Sequence, residues 1–186
     1  MKKALVLFIT ILFLVSLFSC GNAAPATGTG EDPAAQTDGG SVTVANPVSD
    51  LTEEEAKEIY PRSFRVPTDA ENVSWSKIST DDGAVLIQLS FTLDRLSFTA
   101  REHDKSITDE SFHGMYYDWT AVEPFSFNDR NGNTLSGEYS RFIGENEYAD
   151  LCVWEDPAAG MTYSLSVTDT SLDGFDLQAI AEEISP

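Results

Sequence analysis

Apolar positions along this chain change their period several times, and each change predicts an element. An unbroken apolar run from Ala4 to Phe18 follows Lys2 and Lys3. From Gly21 to Asp50 periodicity vanishes: Lys, Arg and aromatic residues are absent, while Gly, Ala, Thr and Pro dominate. Such a stretch cannot bury enough apolar surface to order itself, and as a flexible coil it would span about 30 Å. Thr52-Glu53-Glu54-Glu55 then matches a capping box, with Leu51 and Ala56 placed as a hydrophobic staple. The spacing predicts a helix of roughly two turns through Ile59 and Tyr60 that stops at Pro61. The acidic triplet suits the positive end of a helix dipole, so it reads as capping rather than as a cation site.

From Val73 onward the period becomes two. Val85, Ile87, Leu89, Phe91 and Leu93 share one strand face, and Leu96, Phe98 and Ala100 alternate on the next strand, with Asp94-Arg95 at the turn. The aromatic-rich segment from Met115 to Phe127 predicts one or two further strands. Asn128 to Asn133 is a turn cluster, after which Thr134 to Ile143, Tyr148 to Trp154 and Met161 to Thr168 complete the set. In the last of these Met161, Tyr163, Leu165 and Val167 face one way and Thr162, Ser164, Ser166 and Thr168 the other, the pattern of a half-buried strand. A closing helix is predicted with Asp173 as its cap and an apolar stripe of Leu177, Ile180, Ala181 and Ile184. The expected fold is therefore α+β: one domain, a curved antiparallel sheet of about six or seven strands, with an N-terminal and a C-terminal helix packed on it.

The N-terminal run, about 15 residues, is the length of a signal h-region and short of the roughly 20 that a comfortable membrane-spanning helix needs. With Leu17-Phe18-Ser19-Cys20-Gly21 behind it, the segment resembles a bacterial lipoprotein signal. That resemblance implies cleavage before Cys20 and a diacylglyceryl thioether on its sulfur, an anchor with enough acyl chains to hold stably. An uncleaved anchor is the alternative, and it too exports the rest of the chain. The expected organisation is a signal peptide over 1–19, lipidated Cys20 with a flexible linker over 20–50, and an extracytoplasmic domain over 51–186.

Charge narrows the partners. The chain carries 11 basic and 31 acidic residues, a formal net charge of −20, and loss of Lys2 and Lys3 with the signal would make it more negative still. Such a field repels phosphate backbones and anionic headgroups, so nucleic acid is excluded as an expected partner and cations or basic surfaces are favoured. With Cys20 committed to lipid, Cys152 stands alone. Its setting in an alternating apolar run beside Asp150 and Glu155 predicts a buried structural thiol, since those acids oppose thiolate formation.

Three segments carry a second resemblance: Arg95 to Arg101, Gly114 to Trp119, and Trp154 through Gly160 to Ser166. They resemble an uncharacterised extracellular domain, a domain of unknown function found in lipoproteins and membrane-anchored sensor-like proteins of single-membrane bacteria. The resemblance spans approximately Asn46 to Ser185. It implies an α+β fold and a cell-surface location, and it supplies no catalytic residues.

Candidate chemistry is sparse. His103 and His113, with acids around the first, hold metal-ligand donors at a spacing that matches no ligand signature, and both fall near an expected solvated connection. Asp129, Asn131 and Asn133 alternate like a calcium loop, but Gly132 precedes Asn133 where such a loop needs it to follow, and an Asn131-Gly132 hairpin turn explains the same residues. No Gly-x-Ser-x-Gly elbow or Ser-x-x-Lys motif is present, and neither a catalytic residue, a metal ligand nor a cofactor is assigned. Among the aromatic residues, alternation sends Tyr117 and Trp119 to one face and Tyr116, Asp118 and Thr120 to the other, making Tyr117 and Trp119 the candidate ligand-binding pair. The expected function is a lipid-anchored, non-enzymatic module that binds a cell-envelope protein or wall ligand. The alternatives are a wall- or carbohydrate-acting enzyme using dispersed carboxylates and a structural spacer.

Overall fold

The structure, a computed structural model, describes residues 47–81, 83–172 and 174–186. The apolar run, Cys20 and the linker up to residue 46 lie outside the described residues, as does Asp173.

The elements follow in the order β1 (Val48–Leu51), α1 (Glu53–Ile59), β2 (Glu71–Ser79), β3 (Val85–Leu93), β4 (Leu96–Asp104), β5 (Ala121–Asn128), β6 (Thr134–Ile143), β7 (Tyr148–Asp156), β8 (Met161–Asp169) and α2 (Leu177–Ile184). The strands form one antiparallel sheet in the order β1-β2-β3-β4-β8-β7-β6-β5. Two four-stranded meanders thus meet at β4 and β8, where Phe98 lies opposite Val167 and Asp104 opposite Met161.

The α+β class holds, with two corrections. Eight strands, not six or seven, make up the described sheet, and the first described element is a strand rather than the N-terminal helix. β1 begins inside the stretch read as linker. Its residues are exposed except for half-buried Leu51, so it has no alternation to betray it, and it becomes a strand only by pairing with β2, Leu51 against Trp75. The capping box forms as expected: Thr52 Oγ1 accepts from the Glu55 amide at 3.2 Å and Glu55 Oε2 accepts from the Thr52 amide at 2.7 Å. At the other end the cap of α2 is Asp176, whose carboxylate accepts from the Gln178 and Ala179 amides. The expected apolar stripe of Leu177, Ile180, Ala181 and Ile184 is buried.

Both helices and the segment between α1 and β2 cover one face of the sheet. Trp75, Leu89, Phe91, Phe98, Leu165 and Trp154 point into this core, where the Trp154 indole stacks on Tyr163 at 5.5 Å and Phe64 meets both rings edge-on. The segment is fastened at several points. Tyr163 Oη donates to the Arg62 carbonyl at 3.1 Å, the Arg65 amide donates to the Ile184 carbonyl at 2.9 Å, and Arg65 Nε donates to the Ser185 carbonyl at 2.7 Å. Ser63 Oγ donates to Glu102, which reaches it from β4. Cys152 is fully buried in the same core, and desolvation, then Asp150, pushes its thiol up, in keeping with the expected structural role.

The other face matters more for function. β4 lies in the middle of the sheet and β5 at its far edge, four strand spacings away, about 19 Å. The chain covers that distance between Asp104 and Ala121 with no helix or strand of its own. A connection of this length without regular structure is uncommon and is usually functional. Here it runs as a strap across the outer face.

Candidate functional site

Local turns give the strap its shape. Asp104 Oδ1 accepts from the Ser106 amide at 2.9 Å, Asp109 Oδ1 accepts from the Ser111 amide at 2.9 Å, and the Gly114 amide donates to the Ser111 carbonyl at 2.9 Å. These side-chain-to-backbone bonds replace a ladder that the strap lacks. Its first half is anchored on β4. Arg101 Nη1 donates to the Phe112 carbonyl at 2.8 Å, Arg101 Nε donates to Gln88 Oε1 at 2.9 Å, and Phe112 packs edge-on against His103 with ring centroids 4.3 Å apart. Gly114, at a φ of +73°, is needed where it stands because a Cβ there would collide with the Arg101 guanidinium. The last residue is tied to β6: the Thr120 amide donates to the Arg141 carbonyl and Thr120 Oγ1 accepts from the Ile143 amide, each at 2.8 Å.

Between those anchors the strap stands off the sheet and leaves a groove of about 930 Å³ over β6 and β7. The sheet contributes Ser136, Glu138 and Ser140 from β6 and Leu151, Val153 and Glu155 from β7, all on the face opposite the core. Their pairing puts Ser136 opposite Glu155, Glu138 opposite Val153 and Ser140 opposite Leu151, so the polar residues of β6 lie beside apolar Leu151 and Val153, with Glu155 at one end of the floor. The strap contributes Met115, Tyr117, Trp119 and the acids Glu110 and Asp118.

Tyr117 and Trp119, the pair expected to bind ligand, both line this groove, with ring centroids 5.6 Å apart. Exposure alternates as expected from Met115 to Thr120, with Tyr116, Asp118 and Thr120 exposed and Tyr117 and Trp119 partly covered. No strand forms over these residues, however, because the expected period-two pattern is met by a crossing segment that has no neighbour to pair with until Ala121. Tyr117 instead lies on Phe142 of β6 at 4.8 Å and donates from its hydroxyl to Glu147 Oε1 at 2.5 Å, a bond that raises the Tyr117 pKa. Tyr116 is 78% exposed. The remaining two members of the aromatic cluster part company with the site: Phe125 and Phe127 stack at 5.9 Å on the core face.

The histidines differ from expectation. His103 is not in a solvated connection but buried in β4, 4% exposed, because the strap covers the outer face there; its ring Nδ1 lies 2.6 Å from the Asp104 carbonyl. His113 is in the strap and lines the groove, its Nδ1 accepting from the Met115 amide at 3.0 Å, which places the proton of the neutral ring on Nε2. Burial first, then the Arg101 charge, lowers the His113 pKa. The strap also corrects the reading of β8: Ser164 and Ser166, expected on a solvated face, are buried.

Asp129 is occupied by its own turn. Its Oδ1 accepts from the amides of Asn131 and Asn133 at 2.9 and 2.8 Å, its Oδ2 accepts from Asn133 Nδ2 at 2.9 Å, and Arg62 lies 3.2 Å away while also pairing with Asp156 at 2.8 Å. Those bonds, the one from the Asn133 side chain foremost, hold the Asp129 carboxyl down at about 2. The arrangement is a hairpin turn closed by an ion pair. Among the described residues no three His, Cys, Asp or Glu side chains converge as a metal cluster.

The floor acids Glu138 and Glu155 and the serines beside them were not read as a site; Glu155 entered the sequence argument only as a neighbour of Cys152. Their signal was the alternation of β6 and β7, which puts Ser136, Glu138 and Ser140 on one face and Leu151, Val153 and Glu155 on the same side of the next strand. What could not be read was that the strap would roof that face. Comparison with protein-family models, with curated proteins and with solved structures returned no match to this chain.

Proposed function

We propose that this chain is a lipid-anchored, extracytoplasmic binding module whose ligand occupies the groove between the strap and strands β6 and β7. The observation that carries the reading is that Tyr117 and Trp119, neighbours in a segment without regular structure, are held together over a groove whose volume lies within the range of ligand sites. Aromatic side chains with one face covered and one edge open offer contact area at small entropic cost. The lipoprotein-like signal, the linker and the resemblance to sensor-like ectodomains support the placement on the outer face of the cell membrane, through Cys20. The module works by binding, not by catalysis, and its partner is a cell-envelope protein or wall component.

The test is a thermal-shift screen against wall fragments, oligosaccharides, peptides and divalent cations, run on the wild-type chain and on Trp119→Ala. A ligand of the folded form raises the midpoint by an amount that grows with the logarithm of its concentration over Kd. A concentration-dependent rise in the wild type that Trp119→Ala loses supports the groove, and a rise unchanged by the substitution points to a ligand site elsewhere. Fatty-acid labelling of cells carrying the wild-type chain or Cys20→Ala tests the anchor, which requires label in the first and none in the second.

A further inference from the structure

We infer that the groove takes a cationic ligand, an extended polypeptide segment bearing lysine or arginine side chains; this rests on the groove reading above. Glu110 and Asp118 stand on the strap, Glu138 and Glu155 on the floor, and no lysine or arginine lines the groove. None of these four carboxylates has an ion-pair partner among the described residues. The chain's nearby cations are committed elsewhere. Arg101 is spent on Gln88 and the Phe112 carbonyl under the strap, and Arg141 pairs with Asp150 at 2.6 Å on the opposite face. Arg101 keeps its charge, since both its partners are neutral, and that charge reaches His113 on the groove wall, but the four carboxylates outnumber it and leave the groove net negative, and low-dielectric walls concentrate such a field.

Geometry adds to charge. In the β6–β7 register Glu155 is opposite Ser136 and Glu138 opposite Val153, so the two acids are diagonal neighbours on one face. Diagonal neighbours lie about 7–8 Å apart, close enough for one ammonium or guanidinium between them to reach both. Across the groove Tyr117 and Trp119 offer ring faces, and exposed Tyr116 a third at the rim, for attraction to a cation and its alkyl stem. A peptide rather than a small amine fits because the carboxylates are spread over both walls instead of converging on one point. Successive side chains of an extended segment point to alternate sides and so meet strap and floor in turn.

The test uses the full chain, labelled with ¹⁵N, titrated with acetyl-hexalysine amide, acetyl-hexaglutamate amide and chitotetraose while the Trp119 indole N–H resonance is followed. Two variants accompany it: Glu138→Gln/Glu155→Gln in the groove, and Glu54→Gln/Glu58→Gln, which removes the same charge from the exposed side of α1 on the other face. The expected result is a saturable Trp119 shift with hexalysine alone, weakened about tenfold by the groove pair and less than twofold by the α1 pair. Equal weakening by both pairs would show a general attraction to an acidic protein and overturn the inference. A Trp119 shift with the acidic peptide or the sugar instead would keep the groove and remove the cationic class. No groove resonance moving with any probe would count against the groove reading itself.

Discussion

The Tyr117 hydroxyl donates to Glu147 Oε1 at 2.5 Å, so a residue of the strap is fastened to the turn between β6 and β7 by a side-chain bond that spans the groove's end. The ring beneath it rests on Phe142. Between its anchors at Phe112 and Thr120, the strap is therefore held at Tyr117 by one hydrogen bond and one aromatic contact, both on exposed or half-buried groups. This is a weak fastening, and weak fastenings are where binding loops open.

Tyr117→Phe should keep the ring on Phe142 and lose the bond. The expected cost is about 1 kcal/mol in global stability or less, since the bond is exposed. Local effects should be larger: amide exchange from Met115 to Trp119 should quicken while exchange in β6 and β7 stays unchanged. Hydrogen exchange with residue-level resolution checks this, and uniform quickening throughout the sheet would refute the local role.

Gly137 illustrates how the core face limits the groove face. It lies opposite Trp154 in the β6–β7 register, and a Cβ at residue 137 would overlap the Val153 carbonyl and come within 2.8 Å of both the Phe125 ring and Trp154 Cβ. Backbone cannot yield as a flexible side chain can. Gly137→Ala should destabilise the domain by about 2–3 kcal/mol through overpacking, measured by denaturant unfolding. A loss under about 0.5 kcal/mol would mean that β6 shifts freely against β7.

Much of this architecture was legible in the residues, and the parts that were not share a cause. Strands β3, β8 and the stripe of α2 announce themselves because one face is apolar throughout, and the Thr52 box announces α1 because its reciprocal bonds are local. β1 was invisible because a short edge strand takes its order from its neighbour. The outer ends of β4 misled because Arg101 and His103 look solvated until a strap crosses them, and no period in the chain reports what a distant connection will cover. At the site, Tyr117 and Trp119 were legible as an aromatic pair on one side of an alternating segment. Glu138 and Glu155 were not, because they join that pair only through the order of strands in the sheet.

The turn between β3 and β4 holds a testable strain. Asp94 and Arg95 both have positive φ, 47° and 74°, the conformation of a two-residue hairpin turn that favours Asn-Gly. Aspartate tolerates the left-handed region and arginine does so at a cost. Arg95→Gly should raise stability by about 0.5–1 kcal/mol, the relief of that cost less the added freedom of the unfolded chain. Because Arg95 lies outside the groove, ligand affinity should not change. A lower melting temperature would mean that the arginine side chain makes a stabilising contact that outweighs its backbone strain.

Glu102 supplies the pH dependence. Fully buried on the core face of β4, it accepts from Ser63 Oγ through Oε1, while Oε2 has no partner. Desolvation pushes its pKa up from 4.5 to about 8, against the smaller opposing pull of the Ser63 hydroxyl and the Phe64 amide. Between those two values the folded protein holds a proton that the unfolded chain releases, so the contribution of Glu102 to stability is greatest below the ordinary carboxylate range and falls as pH rises toward 8. From pH 6.5 to 8.5 ordinary carboxylates are already ionised, while His113, whose lowered pKa acts in the opposite sense, adds a small gain at the start of the window as the unfolded chain's imidazole loses its remaining protons. Over that window the wild type should lose about 2 kcal/mol. Glu102→Gln lacks this titration, so its stability, lower at the outset because a buried amide lacks a full set of partners, should change much less across the same window, through the small opposing effects of His113 at its lower end and Cys152 at its upper end. Parallel slopes for the two proteins in thermal melts from pH 6.5 to 8.5 would show that Glu102 is not the titrating group. A slope much steeper in the wild type than in Glu102→Gln would identify the Ser63–Glu102 contact as the point where rising pH loosens the segment between α1 and β2.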